Sequence, residues 1–282
     1  MKIKRVAVIG AGTMGSSIAY LCAWTGYDVS VREVNEDLLK RGMKRIREMI
    51  ADGVNRGKLT PKEAEETMRR VKGTTDLAEA AGEADIVIEA VYEDMGVKKE
   101  VLRQLDEACP PHTILSSNTS ALSITEMASA TKRPDKVIGL HFFNPAYAMK
   151  LVEVVMGKQT SEETRRIATD FAVSLGRETV TARDTPGFIV NRVLTAALGE
   201  ALSLLQEGIA SAEDIDKAVR LGLNWPMGPF RLADFVGLDV ALEVAKTIYE
   251  ALGEKYKPPS VLEEMVKAGR LGMKTRKGFY EY

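Results

Sequence analysis

The 282-residue chain is short of several things. It has two cysteines, Cys22 and Cys109, and only two histidines and two tryptophans. Two thiols cannot build a disulfide framework, and no metal-ligand cluster surrounds them. No apolar stretch approaches the roughly 18 residues of a membrane-spanning helix. Neither sign of charge dominates, since 39 basic and 40 acidic residues leave a net charge of −1. That balance sets up no global field for nucleic acid or a membrane surface, and neither is expected as a partner. The chain starts almost directly with the apolar run Val6-Ala7-Val8-Ile9, without a basic start, apolar core and small-residue cleavage site. We expect a cytoplasmic protein; an organelle presequence already removed would leave the same trace.

What is present is an ordinary globular composition, 45% apolar and 28% charged. The length suits two domains of about 100–200 residues each. Over the first two thirds, short β-rich runs alternate with helical patterns. Strands are expected at 5–9, 28–31, 71–74, 85–89, 113–116, 137–142, 151–155 and 179–181. Several are continuously apolar, as parallel strands covered on both faces are. Thr60-Pro61-Lys62-Glu63 has the spacing of a capping box with proline at the first helical position, and Ser123 to Glu126 repeats that spacing. The alternation predicts a Rossmann-type doubly wound α/β domain with a mostly parallel sheet, residues 1–184. From 185 to 282 only helices are expected, in a smaller all-α domain: 188–207 closed by Gly208, 212–221 capped by Ser211, about 238–252, and 260–269. The helix over 188–207 is apolar nearly all round, so it is buried or packs on another subunit. We therefore expect a homodimer through this second domain.

Gly10-Ala11-Gly12-Thr13-Met14-Gly15 fits G-x-G-x-x-G between a strand and a helical pattern. In that context Gly10 allows the tight turn, Gly12 lets a pyrophosphate approach the backbone, and Gly15 lets helix and sheet close. The pyrophosphate of a dinucleotide then meets the positive end of the helix. Thr13 and Met14 lie within this cofactor loop. Glu33 ends the second strand about twenty residues on, where a carboxylate binds the ribose hydroxyls and repels a 2′-phosphate. NAD is expected over NADP, with Arg32 beside it as a complication.

His141 lies in the apolar run Val137-Ile138-Gly139-Leu140-His141-Phe142-Phe143-Asn144-Pro145. A partly buried imidazole needs hydrogen-bond partners, and it is also the side chain suited to exchanging protons near neutral pH. If 137–142 and 151–155 form an antiparallel hairpin centred on Tyr147, His141 and Glu153 stand opposite, with Cβ atoms about 5 Å apart. Taken singly, other residues have plainer readings. Glu153 would be a solvated strand residue, Ser120 a turn or cap, and Lys98 a helix-surface lysine. Asn191 would be an amide fixing helix register, and His112 an exposed loop residue.

Taken together, the glycine loop, Ser117-Asn118-Thr119-Ser120, His141 to Pro145, Lys150 to Val154, Pro186 to Arg192, Pro226-Met227-Gly228-Pro229 and Lys277-Gly278-Phe279-Tyr280 resemble the 3-hydroxyacyl-CoA dehydrogenase family. The likeness is greatest to its bacterial 3-hydroxybutyryl-CoA members and covers essentially the whole chain. The resemblance implies that His141 is the general base, Glu153 its partner, and Ser120 and Asn191 the other two active-site residues, binding substrate. It places Glu93 and Lys98 near the nicotinamide half of NAD, with Asn118, Ser120 and Asn144 in the cofactor set. An acyl-CoA substrate is implied, with coenzyme A along the basic second helix near Arg56 and Lys58. Met49 stands where some relatives carry serine, which puts one polar contact in doubt. Two other readings are a dehydrogenase of another small hydroxy acid on the same plan, and a non-catalytic NAD-binding protein like the related lens crystallins.

Overall fold

The structure, a computed structural model, describes residues 3–282. The chain divides into two compact units, the first ending at Asp184 and the second starting at Thr185. The first unit contains β1 (Arg5–Ile9), α1 (Thr13–Trp24), β2 (Asp28–Arg32), α2 (Glu36–Asn55), α3 (Pro61–Arg69) and β3 (Val71–Thr74). It continues with α4 (Leu77–Ala81), β4 (Ile86–Glu89), α5 (Met95–Ala108), β5 (Ile114–Ser117), α6 (Ile124–Ala128), β6 (Val137–Phe142), β7 (Leu151–Met156), α7 (Glu162–Ser174) and β8 (Glu178–Arg183).

These strands form one eight-stranded sheet in the order β3-β2-β1-β4-β5-β6-β7-β8. The anticipated mostly parallel, doubly wound sheet is therefore present. Among the described residues, β6 with β7 is the antiparallel pair, and every other neighbouring pair is parallel. Every residue of β4, β5 and β6 is buried. That is why these strands read as continuous apolar runs rather than alternating ones. From β1 the order proceeds one way to β2 and β3 and the other way to β4, β5 and β6. The switch point lies between β1 and β4, where open α/β sheets leave a crevice for a ligand.

Helix starts follow local chemistry in some places and distant chemistry in others. Thr60 forms the anticipated capping box. The Glu63 N–H donates to Thr60 Oγ1 at 3.2 Å, and the Thr60 N–H donates to Glu63 Oε2 at 2.7 Å. At Ser123 only the first half of the box forms, with the Glu126 N–H at 3.2 Å from Ser123 Oγ. Glu126 instead faces Lys99 at 3.4 Å. The carboxylate of Asp184 takes over, accepting from the Ile124 and Thr125 N–H groups and from Ser123 Oγ at 2.7–3.1 Å.

The second unit is helical, with α8 (Val190–Gln206), α9 (Ala212–Gly222), α10 (Pro229–Val236), α11 (Leu238–Leu252) and α12 (Ser260–Lys267). Leu198, Leu202, Phe230, Leu238, Leu242 and Leu262 lie in its core. The first helix begins later than the expected residue 188, because Phe188 sits at φ 48°, a left-handed conformation that cannot continue a helix. The short α10 was not anticipated. Asp216, fourteen residues away in sequence, accepts from the Phe230 and Arg231 N–H groups at 2.8 and 2.9 Å and so caps it from a neighbouring helix. Along α8 the buried positions are Leu198, Ala201 and Leu202, whereas Val193 is 58% exposed. Among the described residues, no helix is long and apolar enough to cross a membrane.

Candidate active site

The glycine loop closes β1 onto α1. Gly10 has φ 99°, and a Cβ there would lie 2.6 Å from the Ala90 carbonyl oxygen. A side chain at Gly15 would collide with the Gly10 carbonyl. Gly12 differs, since a Cβ on it meets nothing within 4 Å. The space over Gly12 is open, and the first turn of α1 has no side-chain cap. Uncapped N–H groups at the end of a twelve-residue helix, facing open space, fit the pyrophosphate of a dinucleotide. Thr13 is exposed and Met14 partly so on that turn. Beside it, Glu33 Oε1 accepts from the Ala11 N–H at 2.8 Å and Oε2 accepts from the Val34 N–H at 2.9 Å. The carboxylate is thereby held at the carboxyl end of β2. Arg32 turns its guanidinium to the Thr75 carbonyl at 3.3 Å.

Three strand steps along the same edge, about 14 Å away, stands the histidine. Backbone pairing aligns Ile9 with Glu89, Glu89 with Ser117, Ser117 with Gly139, and then His141 with Glu153. The hairpin expectation of residues 141 and 153 as cross-strand partners is met. His141 Nδ1 lies 2.7 Å from Glu153 Oε2, with His141 4% exposed and Glu153 fully buried. A buried carboxylate at Nδ1 fixes the ring's orientation and places the proton on that nitrogen when the ring is neutral. The Phe143 ring lies 4.4 Å from the imidazole, centroid to centroid.

Between loop and histidine runs a buried polar network. Lys98 is 1% exposed, so it is not the helix-surface lysine its local sequence would suggest. Its ammonium lies 2.8 Å from Glu89 Oε1 and 3.2 Å from Glu93 Oε2. Glu89 also accepts from the Val91 N–H at 2.7 Å and from Ser117 Oγ. Glu93 accepts from Thr119 Oγ1 and, at 2.8 Å, from the Ser120 N–H. Asn118 Oδ1 accepts from the Phe142 N–H at 2.9 Å, which ties this loop to the residue beside His141. The structure thus links Glu93, Lys98, Asn118 and Ser120, and connects their loop to the His141 strand.

Asn144, Arg56 and Lys58 lie outside this network. Asn144 is exposed just past β6, in a segment tied to α1 by the Ala146 N–H donating to Ser17 Oγ at 2.8 Å. Arg56 and Lys58 stand at the far end of α2, and Arg56 is engaged with Asp52 at 2.8 Å in an exposed pair. Asn191 occupies the first turn of α8, in the second unit.

Family models match both units. Residues 5–185 match the 3-hydroxyacyl-CoA dehydrogenase NAD binding domain, and residues 187–282 match the 3-hydroxyacyl-CoA dehydrogenase C-terminal domain. The chain belongs to the 3-hydroxyacyl-CoA dehydrogenase family. A probable 3-hydroxybutyryl-CoA dehydrogenase of Bacillus subtilis is 46% identical over 283 residues, spanning 100% of this chain and 98% of the relative. A 3-hydroxybutyryl-CoA dehydrogenase of Clostridioides difficile is 43% identical, covering 99% of each. The crystal structure of (S)-3-hydroxybutyryl-CoA dehydrogenase PaaH1 from Ralstonia eutropha superposes with a TM-score of 0.95 at 39% identity, over 100% of this chain and 99% of that one. As a 3-hydroxyacyl-CoA dehydrogenase family member with the NAD-binding domain, the protein is an NAD-dependent oxidoreductase.

Glu89, which pairs with Lys98 and Ser117, is the member of this network that sequence reasoning passed over. A signal was available. Glu89 ends the run Ile86-Val87-Ile88-Glu89, and a charge in a strand buried on both faces must be paired.

Proposed function

We propose that the protein interconverts (S)-3-hydroxybutyryl-CoA and acetoacetyl-CoA, with His141 exchanging the proton. The observation that carries this reading is the buried His141–Glu153 pair at 2.7 Å on the edge that also holds the glycine loop. When bound, NAD supplies the acceptor for the hydride leaving the alcohol carbon. His141 takes the hydroxyl proton through Nε2, because Nδ1 is engaged with Glu153, and returns it in the reverse direction. Glu153 then faces an imidazolium and stabilises it. Ser120 is assigned to the substrate oxygen, and Asn191, in the first turn of α8, is assigned to substrate binding. Gly10, Gly12, Thr13, Met14 and Gly15 cradle the pyrophosphate, Glu33 takes the adenosine ribose, and Glu93, Lys98, Asn118 and Asn144 border the nicotinamide half.

Arg56 and Lys58 are assigned to the phosphates of coenzyme A. Arg56 would exchange an exposed pair with Asp52, and such pairs contribute only about 0–1 kcal/mol. A homodimer through the second unit would cover its apolar surface, where Val193, Leu221 and Leu223 are 58%, 66% and 64% exposed. The names of the relatives support the substrate class. The test is loss of NADH on addition of acetoacetyl-CoA. Turnover supports the reading. NADH binding without turnover of acetoacetyl-CoA or longer 3-ketoacyl-CoA thioesters would overturn it.

A further inference from the structure

Glu89 carries a consequence of its own. Among Glu89, Lys98 and Glu93 there are two carboxylates and one ammonium, which leaves one net negative charge. Glu89 and Lys98 are essentially inaccessible to water, at 0% and 1% exposed. Every partner of the Glu89 carboxylate is a donor: Lys98 Nζ, the Val91 N–H and Ser117 Oγ. The cluster sits at the carboxyl end of β4, one strand beyond the glycine loop and on the side away from Glu33. If the adenosine half lies over β2 and the pyrophosphate over β1, the nicotinamide half extends over β4 and β5, a placement that rests on the cofactor reading proposed above. The oxidised nicotinamide ring carries a positive charge, and the reduced ring is neutral. A fixed charge in a water-poor site discriminates between two such forms far more than the same charge in solvent.

We propose that Glu89 is a positioning residue that gives the Glu89–Lys98–Glu93 cluster its net negative charge, and that this charge favours binding of NAD+ relative to NADH. Glu89 acts through Lys98, which it holds against Glu93; Glu93 in turn holds the Ser120 backbone. Were Glu89 only a structural prop, its loss would weaken both cofactor forms alike.

The test is the ratio of the dissociation constants for NAD+ and NADH, measured by calorimetry on the full chain. In Glu89→Gln, which keeps the shape and removes the charge, NAD+ should weaken relative to NADH by about five- to tenfold. Glu89→Asp keeps the charge and should restore the wild-type ratio, even if both forms bind more weakly. Should Glu89→Gln not fold, Glu93→Gln removes one charge from the same cluster at a site 32% exposed and should move the ratio in the same direction. An unchanged ratio in the charge-removing variant would overturn the proposal while leaving NAD placement intact. A wild-type protein that binds neither form would overturn both.

Discussion

His141 and Glu153 face each other across the one antiparallel pair of the sheet's described strands, with Nδ1 and Oε2 2.7 Å apart. Neither is accessible enough for bulk water to replace the other. If this contact holds the ring for proton exchange, replacing the carboxylate by an amide should damage turnover more than cofactor binding. Glu153→Gln should lower kcat by about 10²–10⁴-fold, the usual worth of a positioned acid–base group. NADH affinity should stay near the wild-type value. A kcat within threefold of wild type would show that the carboxylate is a passive core residue.

Glu33 bears on cofactor choice. Its carboxylate accepts from two backbone N–H groups at the end of β2, so it is held where the adenosine ribose is proposed to lie. Glu33→Ala should weaken NADH by about tenfold or more, the worth of a hydrogen bond to a charged group. It should also reduce the preference for NADH over NADPH. Parallel titrations with both cofactors decide this, and an unmoved ratio would remove Glu33 from the specificity set.

How much of this was legible in the sequence depends on the range over which each interaction acts. The glycine loop, the Thr60 box and the Ser211 cap are local and could be read directly. The His141–Glu153 pairing was legible because strand alternation and a turn centred on Tyr147 fix which residues oppose. Lys98 was not. Its neighbours Val97, Lys99 and Glu100 look like a solvated helix face, and only the β4–α5 juxtaposition reveals the carboxylate that buries it. Asp184 and Asp216 cap helices about 60 and 14 residues away in sequence, beyond the reach of any local signature.

The two thiols should be inert in the native protein. Burial pushes the Cys22 thiol far up, and Cys109 is raised to about 12, by burial first and by the nearby Asp106 carboxylate against the lowering influence of Arg133. Both therefore carry almost no thiolate at mildly alkaline pH. Reaction with an aromatic disulfide reagent should be at least about 10²-fold slower than for a free thiol, and both should react once the chain is unfolded. Fast labelling of either residue under native conditions would contradict this burial.

Asp85 should contribute to stability in one pH window. Burial works to raise its carboxyl, but the Arg5 and Lys4 N–H groups and His112 outweigh that and hold it below its ordinary 3.8. A depressed folded value means that the stabilisation is present above 3.8 and is lost as pH falls through the folded value. Asp85→Asn should cost about 1 kcal/mol at neutral pH, and the difference should vanish well below 3.8. Denaturation midpoints measured across that range check the sign. A gap that persists at the acid end would contradict it.

The most direct test of His141 as the proton-exchanging group is His141→Ala, assayed for NADH consumption with acetoacetyl-CoA alongside NADH binding. We expect turnover to fall by about 10³-fold or more, with the dissociation constant for NADH within about twofold of wild type, since the ring is proposed to touch substrate and not the nucleotide. Turnover within tenfold of wild type would mean that another group moves the proton, and the account of this site would have to be abandoned.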